Sequence, residues 1–132
     1  MDEIKQYILI NSSLGMTHGK TCISSMHASM KIFLDMMTQH SASTFCMIVD
    51  PATAKWMNGS FTKVVLKIPS EKEIMEGIEI ARKLHINTAI INDNGTTQVP
   101  PGSLTAAAIG PFNTKQEKDP EMMNWLSRWK LY

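Results

Sequence analysis

The chain has 132 residues, 43% of them hydrophobic, which suits one domain with a buried core and is too short for two substantial domains. Its 13 Lys and Arg residues against 12 Asp and Glu give a formal charge of only +1, which excludes the strongly basic surface typical of nucleic-acid-binding proteins. We therefore expect any RNA contact to be local, and no DNA partner.

The N-terminus and the cysteines favour a cytoplasmic location. Met1, Asp2 and Glu3 open a charged segment without the apolar core of a signal peptide, and no apolar run approaches the length of a membrane span. Cys22 and Cys46 form neither a CxxC pair nor a disulfide framework. We expect a cytoplasmic protein that does not contact a membrane.

The first predicted elements are a strand, a polar loop and a long helix. Residues 6–10 form a short continuous apolar run, which is typical of a strand covered on both faces. Residues 11–18 are polar and lead into a helix over residues 19–39. At 100° per residue, the larger apolar residues of this helix fall on one stripe, which predicts its buried face: Cys22, Ile23, Met26, Met30, Phe33, Leu34 and Met37.

Polar residues lie along one edge of that stripe. Lys20 and His27 are seven positions apart and project about 20° from each other, with Ser24 between them. Lys20 stands in the first turn, where unpaired amides favour an anion. One rim of the helix thus offers a cation, a hydroxyl and an imidazole.

Three more strands and three more helices are predicted downstream. The strands cover residues 62–68, 88–91 and 104–109, and Pro111 is expected to end the last one. The segment 41–60 is the least regular. Helix starts are predicted at three places: Asp50-Pro51, the capping box of Ser70 and Glu73, and Asp119-Pro120.

This order of elements predicts an α/β fold for a single domain spanning residues 1–132. Strands separated by helical patterns favour a mixed, mostly parallel sheet of about four strands, with helices on both faces. Ligand sites in such sheets gather at the carboxyl ends of strands. The loops 11–20 and 92–102 follow two of the strands, so we expect them to lie close together.

Several short motifs then agree, in order and spacing, with one known family. They are Leu14-x-Met16-x-x-Gly19-Lys20, His27-Ala28, Lys63-Val64-Val65-Leu66-Lys67, Ile91-x-Asp93-x-Gly95-x-Thr97-Gln98-x-x-Pro101-Gly102-Ser103, Ile109-Gly110-Pro111 and Lys130-Leu131-Tyr132. Over most of residues 6–132, and least over 41–60, the chain resembles the peptidyl-tRNA hydrolase type 2 family. Motifs in register are far more specific than any one alone.

The resemblance implies a mixed sheet of about four strands flanked by helices, often in a homodimer. It implies hydrolysis of the ester between a peptide and the 3′ end of tRNA, with peptidyl-tRNA as partner and no cofactor or metal. The catalytic residues implied are Lys20, His27, Asp93 and Thr97. We add as substrate-binding residues Ser13, His18, Ser24, Thr96 and Gln98.

The chemistry of ester hydrolysis assigns roles to these side chains. A water must be oriented or deprotonated, which suits Asp93, with or without His27; either can be the primary base. Lys20 can neutralise an oxyanion or a phosphate, and the Thr97 hydroxyl can donate a hydrogen bond. This requires Lys20 and His27 to meet Asp93 and Thr97 across a shared cleft. No metal is expected, since Cys22 projects about 140° from His27 on the helix.

Four loop positions depart from the family pattern and leave two other hypotheses open. The family carries charged residues where this chain has Asn11, Ser13, His18 and Thr96. The first alternative is a family member that has lost catalysis and binds RNA or a protein, in which case a salt-sensitive tRNA complex would form without turnover. The second is hydrolysis of a small acyl ester or amide in the same cleft.

Overall fold

The computed structural model describes residues 2–94, 99–115 and 120–132. Its strands are Ile4–Asn11 (β1), Thr38–Ser41 (β2), Thr44–Cys46 (β3), Lys63–Ile68 (β4), Thr88–Asn92 (β5) and Leu104–Asn113 (β6). Its helices are His18–Met36 (α1), Pro51–Asn58 (α2), Glu71–Lys83 (α3) and Glu121–Leu126 (α4), and a short 3-10 turn covers Ser12–Leu14. Among these residues, no helix is both long and apolar enough to cross a membrane.

The α/β fold with a four-stranded mixed sheet is confirmed, but the sheet is not mostly parallel. The strand order is β4-β1-β6-β5; the pair β1–β4 is parallel, and the pairs β1–β6 and β5–β6 are antiparallel. The prediction failed at β6, because only residues 93–103 separate it from β5, too few for the crossover connection that two parallel neighbours need. Since β1 and β5 are both antiparallel to β6, they run in the same direction as each other and as β4.

Two apolar clusters pack against the main sheet. Tyr7 and Leu9 of β1 belong to a cluster that includes Ile74 and Ile78 of α3 and Trp125 of α4. The residues that alternate with them along β1 belong to a second cluster with α1, whose members include Ile8, Ile10, Ala28 and Ile32. Neighbouring residues of a strand point to opposite sides of the sheet, so β1 supplies side chains to both clusters.

The predicted buried face of α1 is wrong. The buried residues of α1 are Thr21, Ser24, Ala28 and Ile32, on roughly the opposite side of the helix from the predicted stripe. Small residues face α1 from the sheet, among them Ala106 and Ala108, so helix and sheet pack through small side chains. The larger side chains instead face outwards, with exposed fractions of 47% for Ile23, 61% for Met26, 59% for Met30 and 49% for Leu34.

Local signals predicted the helix starts better than the strand ends. The capping box is confirmed, since Ser70 Oγ accepts from the Glu73 amide at 3.2 Å and donates to Glu73 Oε2 at 3.3 Å. Asp50 occupies the N-cap position of α2 without a capping hydrogen bond from its side chain, and Pro51 lies in the first turn. The expected strand end at Pro111 is wrong, because β6 continues to Asn113.

A small hairpin between α1 and α2 was not predicted. Its strands β2 and β3 pair with each other and not with the main sheet, and every residue in them is exposed. An entirely exposed hairpin buries no alternate side chains, so its sequence lacks the apolar alternation by which strands are recognised.

Candidate active site

Two loops meet at one edge of the main sheet. β1 ends at Asn11 and β5 ends at Asn92, and because these strands run in the same direction, their carboxyl ends lie at the same edge. The segment after β1 leads into the first turn of α1, and the segment after β5 begins with Asp93. The edge expected from the sequence is therefore the edge at which the candidate site forms, although the sheet is less parallel than predicted.

Lys20 and Asp93 form an ion pair between these loops. Lys20 Nζ lies 3.0 Å from Asp93 Oδ1. The Lys20 side chain is only 15% exposed and that of Asp93 only 1% exposed, so water screens the pair poorly. The α1 dipole disfavours a cation in the first turn, and the carboxylate of Asp93 offsets this cost.

Hydrogen bonds hold the chain on both sides of the ion pair. Thr17 caps α1 by accepting from the Lys20 amide at 3.2 Å. On the other side, the Asp93 amide donates to the Ser103 carbonyl at 2.8 Å, and the Gly102 amide donates to the Asp93 carbonyl at 3.0 Å. These bonds close the base of the loop that follows β5 and fix the backbone from which the carboxylate projects.

A cavity of about 260 Å³ opens beside the ion pair. Its lining includes Lys20, Ser24 and His27 from α1, Asn92 at the end of β5 and Asp93 directly after it. Ser24 is buried and His27 is exposed, so the hydroxyl lies on the inner wall and the imidazole on the outer rim. The structure thus brings together three of the four predicted catalytic residues, and Ser24 with them.

The other predicted site residues are placed elsewhere or lie outside the description. Ser13 is exposed, and its hydroxyl donates to Asn11 Oδ1 at 2.6 Å. His18 is the exposed first residue of α1. Neither side chain lines the cavity. Direct contact of Ser13 or His18 with an ester bound there is therefore not supported. Thr96, Thr97 and Gln98 lie outside the described residues.

Sequence reasoning missed five residues that line the cavity, namely Ile23, Ile91, Asn92, Asn94 and Thr105. Thr105 is buried, and its hydroxyl donates to the Ile91 carbonyl at 3.3 Å, next to the start of the loop. A single hydroxyl within the apolar run of β6 was the available signal. Ile23 also lines the cavity, although 47% of this residue is exposed.

The cavity suits acid–base chemistry on a polar substrate better than metal chemistry. Within residues 2–94, 99–115 and 120–132, no group of three or more His, Cys, Asp or Glu side chains is arranged to hold a metal ion. Asp93 supplies an anionic acceptor for water, His27 an imidazole that can accept or donate a proton, and Lys20 a positive charge.

A family model and several known proteins are similar to this chain. A family model described as peptidyl-tRNA hydrolase PTH2 matches residues 4–120. The chain is 40% identical over 114 residues to a peptidyl-tRNA hydrolase of Methanococcus maripaludis strain C7, covering 86% of this chain and 89% of the relative. It is 36% identical over 115 residues to that of Methanocaldococcus jannaschii, covering 87% and 90%.

A eukaryotic relative is more distant and longer. The chain is 32% identical over 109 residues to peptidyl-tRNA hydrolase 2 of Saccharomyces cerevisiae, covering 83% of this chain and 51% of the yeast protein. The family match includes both loops of the candidate site, and the archaeal relatives align over nearly their full length. The resemblance inferred from short motifs is therefore confirmed, and the chain belongs to the peptidyl-tRNA hydrolase PTH2 family.

Proposed function

We propose that this protein hydrolyses the ester bond between the peptide and the tRNA of peptidyl-tRNA, releasing free tRNA for reuse. Membership of the family and the names of its relatives support an enzyme of this kind. The observation that carries the proposal is the buried Lys20–Asp93 pair beside a cavity that His27 also lines. It places a cation, a carboxylate and an imidazole around a space large enough for an ester.

Asp93 and His27 act on the attacking water in this proposal. The carboxylate of Asp93, held by Lys20, accepts a hydrogen bond from the water and orients it towards the ester carbonyl. His27 on the rim accepts the proton as the new C–O bond forms and returns a proton to the departing 3′ oxygen of the tRNA. Both groups are on secondary structure or at the closed base of a loop, which keeps their positions defined.

Lys20 has an electrostatic role. Its ammonium group neutralises negative charge that develops on the carbonyl oxygen, an effect that costs little reorganisation in a poorly screened site. The first turn of α1 contains no acidic residue, so its amides and Lys20 together also favour a phosphate of the tRNA end. Thr97 is proposed as a further donor to the carbonyl oxygen.

The remaining predicted residues are proposed to hold the substrate. Ser24 contacts it within the cavity, and Thr96 and Gln98 contact it from the loop that follows Asp93. Ser13 and His18 stand outside the cavity lining, so in this proposal they face the tRNA rather than the ester. His18 is one residue from the N-terminus of α1, where a bound phosphate is favoured.

The uncharged loop after β1 has a structural explanation that is compatible with activity. Asn11 is buried; its amide donates to the Leu104 carbonyl at 2.9 Å, and its side-chain oxygen accepts from the Ser13 amide and hydroxyl. Asn11 therefore ties β1 to β6 beside the site and shapes the loop. The loss of charge here is expected to weaken tRNA affinity rather than to disable Lys20 and Asp93.

The proposal extends to the organisation and location of the protein. We infer one domain spanning residues 1–132, with α1 against one face of the sheet and α3 and α4 against the other, as the alternation of β1 side chains between two clusters supports. We propose a cytoplasmic location, to which the free and exposed Cys22 and Cys46 are suited.

We also propose a homodimer that covers the outer surface of α1, defined here as Ile23, Met26, Met30 and Leu34. Two further exposed apolar residues, Met57 and Phe61, extend this surface. They line a groove together with Ser29 and Lys63, and the same two residues, Ser29 and Lys63, line a neighbouring groove beside Met26 and Met30. Such a patch supplies on the order of 500 Å² of apolar area, most of the roughly 800 Å² per partner of a standard interface. A ridge beside a groove also suits two-fold pairing, since each copy can insert its ridge into the groove of the other.

Release of peptide from purified peptidyl-tRNA tests the proposed function. Multiple turnovers by the wild-type protein would support it. Binding of tRNA without turnover would instead support the hypothesis of a catalytically impaired RNA-binding protein, and turnover of a short acyl-adenosine ester alone would support a small-ester hydrolase.

A further inference from the structure

The hairpin of β2 and β3 holds a cysteine and a histidine in direct contact. His40 Nε2 lies 2.9 Å from Cys46 Sγ, and both residues are exposed. The pair belongs to neither the candidate active site nor the outer surface of α1. We infer that Cys46 is a reactive thiol, activated by His40, that undergoes exchange with low-molecular-weight disulfides.

The hairpin register explains why these two side chains meet. Thr38 pairs with Cys46 and Ser41 pairs with Thr44, with a register shift between Gln39 and Ser41. His40 therefore lies diagonally across the ladder from Cys46, a distance that long side chains can span. The irregularity falls at His40 itself, and irregularities of this kind redirect side chains in a ladder.

The separation of the two atoms favours a nucleophile over a metal site. Ligand atoms around a tetrahedral Zn²⁺ stand about 3.5 Å apart for one nitrogen and one sulfur, which is farther than the 2.9 Å of this pair. No group of three candidate ligands occurs in the part of the chain that the structure describes. A contact of this length instead matches the arrangement of a nucleophile with its base.

Few charged residues are near the Cys46 thiol in the sequence, so His40 is expected to affect its reactivity most. Residues 38–46 include no Lys, Arg, Asp or Glu. The nearest charged residues along the chain are Asp35, which pairs with Lys31 at 2.9 Å, and Asp50. In the described ranges, the extensive packing of β2 and β3 is with each other.

The proposed reaction is a balanced exchange. His40 Nε2 accepts the thiol proton, and the Cys46 thiolate attacks one sulfur of the small disulfide. The new S–S bond forms as the old one breaks, and the electron pair leaves with the second sulfur, which becomes a thiolate. The Cys46 sulfur is oxidised, the leaving sulfur is reduced, and His40 releases its proton to solvent.

The second cysteine provides an internal control. Cys22 is also free and exposed, but in the described part of the chain the hydrogen bond between a histidine and a cysteine is that of His40 with Cys46. We would therefore compare Cys22→Ser, which retains Cys46, with Cys46→Ser, which retains Cys22. Each would be made with and without His40→Gln, and reacted with the neutral probe 2,2′-dithiodipyridine while thione release is followed.

At pH 6.5 we expect the Cys22→Ser protein to react about 10-fold faster than the Cys46→Ser protein, because its remaining thiol contacts an imidazole that can accept the thiol proton. His40→Gln should remove this advantage and leave the rate of Cys22 unchanged. Equal rates for the two cysteines, or a Cys46 rate insensitive to His40→Gln, would overturn the inference.

Discussion

Lys20 Nζ and Asp93 Oδ1 lie 3.0 Å apart although 73 positions separate the residues in sequence. Their side chains are mostly removed from water, at 15% and 1% exposure. The pair joins the first turn of α1 to the loop after β5 and thereby defines one wall of the cavity. A charge pair in this setting has consequences for stability as well as for catalysis.

Removal of one partner of the pair is expected to destabilise the protein. Lys20→Ala leaves the buried carboxylate of Asp93 without this cation, which should lower the free energy of unfolding by about 3 kcal/mol. The double variant Lys20→Ala, Asp93→Ala should lose less than the sum of the single variants, because no buried charge is then left behind. Urea unfolding of the four proteins measures this coupling.

Lys31→Ala is the matched control for that cycle. Lys31 lies on the same helix and pairs with Asp35, but both side chains of this pair are substantially exposed. Its removal should change the free energy of unfolding by less than about 0.5 kcal/mol. Additivity of the Lys20 and Asp93 variants would contradict the importance of their ion pair.

His27 and His18 are expected to affect different kinetic parameters. His27 lines the cavity, so His27→Gln should lower kcat on peptidyl-tRNA about 100-fold, as for a group that transfers a proton. His18 lies outside the cavity lining, so His18→Gln should raise KM and leave kcat nearly unchanged. Steady-state kinetics distinguish the two, and an unchanged kcat for His27→Gln would exclude it as the base.

Gly77 in α3 tests the packing of the helices that support the sheet. A Cβ at this position would overlap the indole ring of Trp125, whereas one at Gly19 would meet nothing within 4 Å. Gly77→Ala should therefore lower the free energy of unfolding by about 2 kcal/mol through overpacking. Gly19→Ala should instead stabilise α1 by about 0.5 kcal/mol. Similar effects of both substitutions in chemical unfolding would contradict this view of the α3–α4 contact.

The outer surface of α1 is expected to mediate self-association. Met30→Glu places a charge in the middle of this surface and should convert a dimer to a monomer in sedimentation velocity. Ile48→Glu is the control, because Ile48 is 95% exposed and lies outside that surface. A wild-type protein that is monomeric at micromolar concentration, or a dimer that persists in Met30→Glu, would refute the proposed interface.

The sequence predicted the strands and the site edge for reasons that the structure makes clear. Apolar, β-branched runs such as Val64-Val65-Leu66 mark strands of the main sheet, and the polar loops after β1 and β5 follow strands of the same direction. Local side-chain chemistry was similarly sufficient for the capping box of Ser70. Each of these features depends on residues that are close together in the chain, so the sequence alone is enough to predict it.

The predictions that failed depended on contacts between distant segments. The apolar stripe of α1 would normally be buried, but the helix packs through Ala28 and Ser24 because the facing strand presents Ala106 and Ala108. Only the partner surface determines which side of such a helix is covered. The direction of β6 likewise depends on its pairing between β1 and β5, and the exposed hairpin near Cys46 buries no side chains that would reveal it.

The central claim is most directly tested by peptide release from purified peptidyl-tRNA by the wild-type protein, Asp93→Ala, Lys20→Ala and the control Lys31→Ala. We predict multiple turnovers for the wild type and Lys31→Ala, and rates reduced by about 10-fold to 1000-fold for the other two. Their folded fraction should first be verified by circular dichroism. Unchanged rates in both Asp93→Ala and Lys20→Ala would contradict the assigned site, and no turnover by a folded wild-type protein that binds tRNA would contradict the proposed hydrolase.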